Sequence, residues 1–196
     1  MNAYSLVESL ESRTLFTATF AIVIEGTDAA DRIVVRQSAG QIRVTEGTQT
    51  TMFASAGVGR IIIDSQGGND RVDCKGISIR CVIEGGSGRD TLLGGNAADR
   101  IEGGDGNDLL KGFGGADRLE GQANDDVIYG GDGADRLDGG ERKDTLFGEA
   151  GDDTLIGDDD LWEDRLVGGT GNDRAEVDNT FAVEDSVADD IEDVND

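Results

Sequence analysis

The chain has no proline and no histidine, and its 17 basic residues face 42 acidic ones. Aromatics make up only 5%, and Cys74 and Cys81 are the only thiols. Without histidine there is no Ser-His-Asp triad, no Cys–His pair, no H-E-x-x-H zinc site and no imidazole base. No G-x-S-x-G nucleophile motif occurs either. A net charge of −25 repels a polyanion, which argues against nucleic acid as a partner. No apolar run is long enough for a membrane span. With 196 residues there is room for one domain, and so much carboxylate attracts a cation.

The charge is unevenly placed. Residues 1–84 carry 10 acids and 8 bases, residues 85–176 carry 24 and 9, and residues 177–196 carry 8 and none, giving −2, −15 and −8. Of the 31 glycines, 23 lie between Gly85 and Gly171. By composition alone such a block reads as disordered, because like charges repel and apolar surface is scarce. Its periodicity says otherwise. From Gly85 it divides into GGSGRDTLL, GGNAADRIE, GGDGNDLLK, GFGGADRLE, GQANDDVIY, GGDGADRLD, GGERKDTLF and GEAGDDTLI, then the eleven-residue GDDDLWEDRLV and a last GGTGNDRAE. The sixth position, or its equivalent in the longer unit, is always aspartate: Asp90, Asp99, Asp108, Asp117, Asp126, Asp135, Asp144, Asp153, Asp164 and Asp173. Two residues later comes an apolar side chain, from Leu92 and Ile101 to Leu166 and Ala175.

These units resemble the RTX, or haemolysin-type, calcium-binding nonapeptide G-G-x-G-x-D-x-U-x of bacterial proteins. The resemblance implies an all-β fold, a right-handed parallel β-roll or β-helix solenoid with two short strands per coil, and several bound Ca²⁺ ions. The residue chemistry agrees. Glycines at positions one, two and four permit φ > 0, so the chain turns tightly and presents carbonyls. Gly86, Gly88, Gly104, Gly106, Gly115, Gly131, Gly133, Gly151, Gly169 and Gly171 stand at positions two and four. The aspartate adds a hard charged oxygen, and Ca²⁺ takes 6–8 oxygens. The x-U-x tripeptide is a short strand with its middle side chain inward.

Stacked turns are then two units apart. Asp90, Asp108, Asp126, Asp144 and Asp164 line one edge, and Asp99, Asp117, Asp135, Asp153 and Asp173 the other. The gaps between them set an upper bound of about eight ions, and about five to seven are expected because several turns deviate. Position four is Ala97, Asn124 or Arg142, position two is Phe113, Gln122 or Glu149, and residues 157–167 carry two extra residues and Trp162.

Residues 19–84 look like a degenerate solenoid core, with strand centres near Ile22, Ile33, Val44, Phe53, Ile62, Val72 and Ile83. Two turns, Gly26–Asp31 and Ser65–Asp70, copy the acidic turn: Asp70 lies 20 residues before Asp90 on the same edge and joins the metal ligands, whereas Asp31 has no evident stacked partner. The arrangement is similar to bacterial proteins in which a GTDxADxIxV…RIxIxxxGGND segment precedes such nonapeptides. Residues 1–18 lack a basic start and a long apolar run. They read either as a short N-terminal export motif (LESRTLF) or as a capping helix with a Ser5-x-x-Glu8 box. Residues 177–196 read as an acidic C-terminal cap, with Val177, Phe181, Val183 and Val187 on the last rung. Cys74 and Cys81 suit a disulfide closing a small loop, with buried free thiols as the alternative.

The function expected is calcium binding with calcium-induced folding of an exported structural or surface repeat protein, extracellular or at the cell surface. The alternative is a calcium-dependent accessory module of a secreted toxin, adhesin or hydrolase. The expected partners are calcium ions and cell-surface or matrix components, with no nucleic acid, no membrane span, and a monomer. An enzyme is not expected. Paired carboxylates can cleave glycosides, yet the repeat already accounts for these acids, and 2 Tyr and 1 Trp give sugar rings little to stack on. An ice-binding lattice would need a row of Thr, but outward positions mix Thr91, Arg100, Leu109, Arg118, Val127, Arg136, Thr145, Thr154, Arg165 and Arg174.

Overall fold

A computed structural model describes residues 5–7, 19–157, 164–177, 186–187 and 191–193. All the regular structure among them is β. Successive strands alternate between two sheets, which is what a nine-residue period of turn plus tripeptide produces. The first sheet stacks Phe20–Thr27, Val58–Gln66, Arg80–Ser87, Arg100–Asp105, Arg118–Ala123, Arg136–Glu141, Thr154–Gly157 and Asp173–Val177 in parallel. The second stacks Arg32–Ser38, Arg71–Asp73, Thr91–Leu93, Leu109–Gly114, Val127–Asp132, Thr145–Ala150 and Arg165–Thr170 likewise. Two strands per coil therefore form the expected parallel β-solenoid. Beyond residue 177, Ser186–Val187 and Ile191–Asp193 extend the two sheets by one parallel strand each; Phe181 and Val183 lie outside the described residues, as do Trp162 and most of the longer unit.

From Val82 to Ile156, registers match residue for residue, 18 apart. Ile101 pairs with Leu119 and Leu119 with Leu137; Leu110 pairs with Ile128 and Ile128 with Leu146. These side chains form two facing inner columns that are completely buried, so each half-coil contributes one aliphatic residue to the core. The N-terminal third packs more: Ile22 and Ile24, Ile33 and Val35, and Ile61 and Ile63 each place two side chains inward from one strand.

That N-terminal part departs from the expected solenoid in two ways. Residues 32–54 form an antiparallel meander, Arg32–Ser38, Gln41–Glu46 and Gln49–Ala54, hung on the edge of the second sheet. Its first turn has Ala39 and Gly40 at φ 48° and 76°, the left-handed pair that suits a two-residue hairpin. Ile62 faces outward, while its neighbours Ile61 and Ile63 are buried. The capping helix is also not formed where it can be seen: Ser5–Val7 is a strand antiparallel to Phe20–Thr27, so it pairs backbone groups along that sheet edge. Residues 8–18 lie outside the described residues.

The outer faces differ. On the first sheet Arg100 pairs with Glu102 at 2.5 Å, Arg118 with Glu120, and Arg174 with Glu176 at 3.2 Å. On the second, Tyr129 and Phe147 stack with ring centres 4.8 Å apart, and the Lys111 ammonium lies 3.9 Å from the Tyr129 ring centre.

Candidate metal centre

The turn before Arg71 and the turns of the repeats each bury an aspartate. Asp70, Asp90, Asp99, Asp108, Asp117, Asp126, Asp135, Asp144, Asp153, Asp164 and Asp173 are all at most 3% exposed. Their spacing builds two columns. On one edge the backbone N–H of Asp31 donates to Asp70 Oδ1, Asp70 to Asp90, Asp90 to Asp108, Asp108 to Asp126, Asp126 to Asp144 and Asp144 to Asp164, at 2.6–2.7 Å. On the other, Cys81 N–H donates to Asp99 Oδ1, Asp99 to Asp117, Asp117 to Asp135, Asp135 to Asp153 and Asp153 to Asp173, at 2.7–3.0 Å. Asp31 thus does have a stacked partner, Asp70, which the sequence spacing hid.

One carboxylate oxygen is thereby used. The other, Oδ2, is buried without a hydrogen-bond partner in Asp70, Asp90, Asp108, Asp117, Asp126, Asp135, Asp153 and Asp173. Burying an unpaired charged oxygen is costly, and here it recurs rung after rung. Burial pushes the Asp126 carboxyl up to about 8, Asp117 to about 7, and Asp70, Asp99, Asp108 and Asp153 to about 6; Asp90 and Asp135 are raised as well. The N–H on Oδ1 pulls each value down. Neighbouring carboxylates push Asp117 and Asp126 further up.

The turn backbone supplies more oxygen. Position two is left-handed in Gln66, Gly86, Gly104, Phe113, Gln122, Gly131, Gly140, Glu149 and Gly169, and position four in Gly68, Gly88, Gly106, Gly115, Asn124, Gly133, Arg142, Gly151 and Gly171. A Cβ on Gly104 or Gly106 would overlap the carbonyl oxygen of Gly86 or Gly88 in the preceding turn, so those carbonyls aim at the next rung. Of the deviant residues, Phe113, Gln122, Asn124, Arg142 and Glu149 keep the handedness but shift it, whereas Ala97 loses it. At position four φ is 125–143° at Gly106, Gly115 and Gly133 but 79° and 85° at Asn124 and Arg142. Position-one glycines have a different reason from the one expected. Gly103 is not left-handed; a Cβ there would come 2.6 Å from Asp108 Oδ2, so glycine makes room for the carboxylate.

The family model for the RTX calcium-binding nonapeptide repeat matches in four copies, at residues 82–110, 111–141, 138–160 and 163–176. These segments are RTX calcium-binding nonapeptide repeats. No curated protein and no solved structure matches the chain. The residues fit the ion. Buried Oδ2 atoms without donors, and carbonyls at positions two and four aimed at the next rung, are all oxygen, the hard donors Ca²⁺ prefers. Among the described residues no three acidic or thiol side chains converge on one point, so an ion here draws on backbone carbonyls as well as aspartates.

Both cysteines are buried free thiols, so the expected disulfide is not formed. Cys74 N–H donates to Leu93 O as Gly94 N–H does to Lys111 O, and Cys81 N–H occupies the aspartate slot above Asp99. Cys74 therefore stands at position one and Cys81 at position six of a turn without a carboxylate. The Cys81 thiol is pushed far up, first by its hydrogen bond with Cys74 and then by burial.

Proposed function

We propose that the chain is a calcium-dependent folding module of an exported structural or surface protein, with Ca²⁺ held by sixth-position aspartates whose Oδ2 has no donor and by the carbonyls at positions two and four. The observation that carries this reading is the repeated, buried, unpartnered Oδ2 in both columns. Bound calcium supplies positive charge to carboxylates that burial otherwise penalises. The protein's own contribution is to hold Oδ1 of each aspartate on the N–H of the preceding rung, so Oδ2 is aimed before the ion arrives. Residues 85–176 carry a net charge of −15 and one core side chain per half-coil, so binding and folding are coupled. Such coupling suits a chain that stays unfolded where calcium is scarce and folds outside the cell, where it meets surface or matrix components.

Far-UV circular dichroism during calcium addition to the chelated protein, with magnesium as the control, tests this. A gain of β signal in calcium alone supports the proposal. A spectrum that is fully β in chelator at neutral pH and does not respond to calcium contradicts it.

A further inference from the structure

The first aspartate turn of each column is unlike those that follow. On one edge it is Gly26–Asp31, GTDAAD; on the other it is Gly94–Asp99, GGNAAD. Later described turns are left-handed at positions two and four whatever the side chain, including Phe113 and Arg142. Thr27, Ala29, Gly95 and Ala97 are not. The backbone presented to the next rung changes with them. A Cβ on Gly68 would meet the Ala29 carbon and Ala30 nitrogen at 2.6 Å and the Ala29 oxygen only at 3.0 Å. One on Gly106 or Gly151 would instead strike the carbonyl oxygen of the turn before.

The carboxylates follow the same division. Asp31 Oδ2 accepts both the N–H and the hydroxyl of Thr27, at 2.7 and 2.9 Å. Asp99 Oδ2 accepts the N–H of Gly95 at 2.6 Å. Asp99 thus accepts hydrogen bonds on both oxygens and Asp31 accepts two on Oδ2, a charge-assisted arrangement that stabilises each anion without a metal. One rung later, Asp70 and Asp117 have a bare Oδ2. Above Asp99 the slot holds Cys81, which offers an N–H and no carboxylate.

We propose that Asp31 and Asp99 are capping carboxylates that close the heads of the two columns without holding an ion, and that calcium binding begins at Asp70 and Asp117. This rests on the calcium reading above and assigns its boundaries. The paired signature is Ala-Ala-Asp at positions four to six with position two donating back to Oδ2.

Equilibrium dialysis of the full chain at saturating calcium tests the assignment. Asp31→Asn and Asp99→Asn are expected to bind as many ions as the parent chain while melting lower, because each loses an acceptor for a turn donor. Asp70→Asn and Asp117→Asn are expected to bind at least one ion fewer, since they keep Oδ1 and lose only the bare oxygen. Thr27→Val removes a single donor from Asp31 and retains the carboxylate, so it reads the first cap should Asp31→Asn fail to fold; the full ion count with a lower melting temperature is expected. An ion missing from Asp31→Asn, Asp99→Asn or Thr27→Val, or a full count in Asp70→Asn and Asp117→Asn, overturns the assignment. A parent chain that binds no calcium overturns the calcium reading itself.

Discussion

The strands before Gly85 and the nonapeptides after it share one coil geometry but differ in what stabilises them. Val58–Gln66 buries Val58, Ile61, Ile63 and Ser65, while Arg118–Ala123 buries only Leu119 and Gly121. The first region has β-branched pairs in its core, a bidentate Arg36–Asp73 ion pair at 2.9 Å and a cap aspartate, Asp31, whose Oδ2 accepts two hydrogen bonds. The second has one aliphatic side chain per half-coil and aspartates whose Oδ2 has no donor. On the proposed function, the same backbone path is held by apolar area in the first region and by metal in the second. The N-terminal core offers a formed sheet edge on which the calcium turns stack.

The largest difference should come from substitutions that separate the two modes. Ile63→Ala removes a fully buried side chain from the first region and should cost about 2–5 kcal/mol, with the calcium midpoint of the repeats little changed. Asp126→Ala, in mid-column, should raise the calcium needed for folding by about tenfold or more, roughly 1.4 kcal/mol or above, while leaving the N-terminal core intact. Thermal melts monitored with and without calcium distinguish them. Equal sensitivity of both variants to calcium would erase the contrast.

Acid should mimic the metal. The folded values of Asp117 and Asp126, about 7 and about 8, lie above the ordinary carboxylate value of 3.8. A group raised on folding favours the folded state fully below its unfolded value and loses that contribution as pH rises through its folded value. In chelator the repeats should therefore be more β-rich at about pH 4.5 than at pH 8. With calcium the order reverses, because the ion needs the ionised form. Circular dichroism across that range checks both arms, and N-terminal strands should show little of either.

Smaller effects sharpen the picture. Asn124→Gly and Arg142→Gly relieve left-handed non-glycine residues and should each stabilise the calcium-loaded roll by about 1 kcal/mol, read from the melting temperature. Arg118→Ala breaks a half-exposed pair with Glu120 and should cost no more than about 1 kcal/mol.

Much of this was legible in the sequence. The nonapeptide period, the two edges and the place of Asp70 above Asp90 follow from spacing alone. What stayed hidden has particular causes. Hairpin and coil strands share a period of two, so Ile42 and Val44 look the same in either, and only Ala39–Gly40 distinguishes the turn. That inserted meander sets Asp31 and Asp70 39 positions apart, which conceals their stacking. In RIIID three consecutive isoleucines give no alternation, so the inward phase of Ile61 and Ile63 could not be read. The position-one glycines are explained only by where the carboxylate lies, which is a matter of packing.

The most direct test is amide hydrogen exchange resolved along the chain, with calcium and then with chelator at neutral pH. The N–H groups of Asp90, Asp108 and Asp126, each bonded to the next aspartate, report the repeats, and those of Ile22 to Ile63 report the core. The account predicts protection of both regions in calcium, and loss confined to residues 85–176 on chelation. Persistent protection of those aspartate amides without calcium would contradict it.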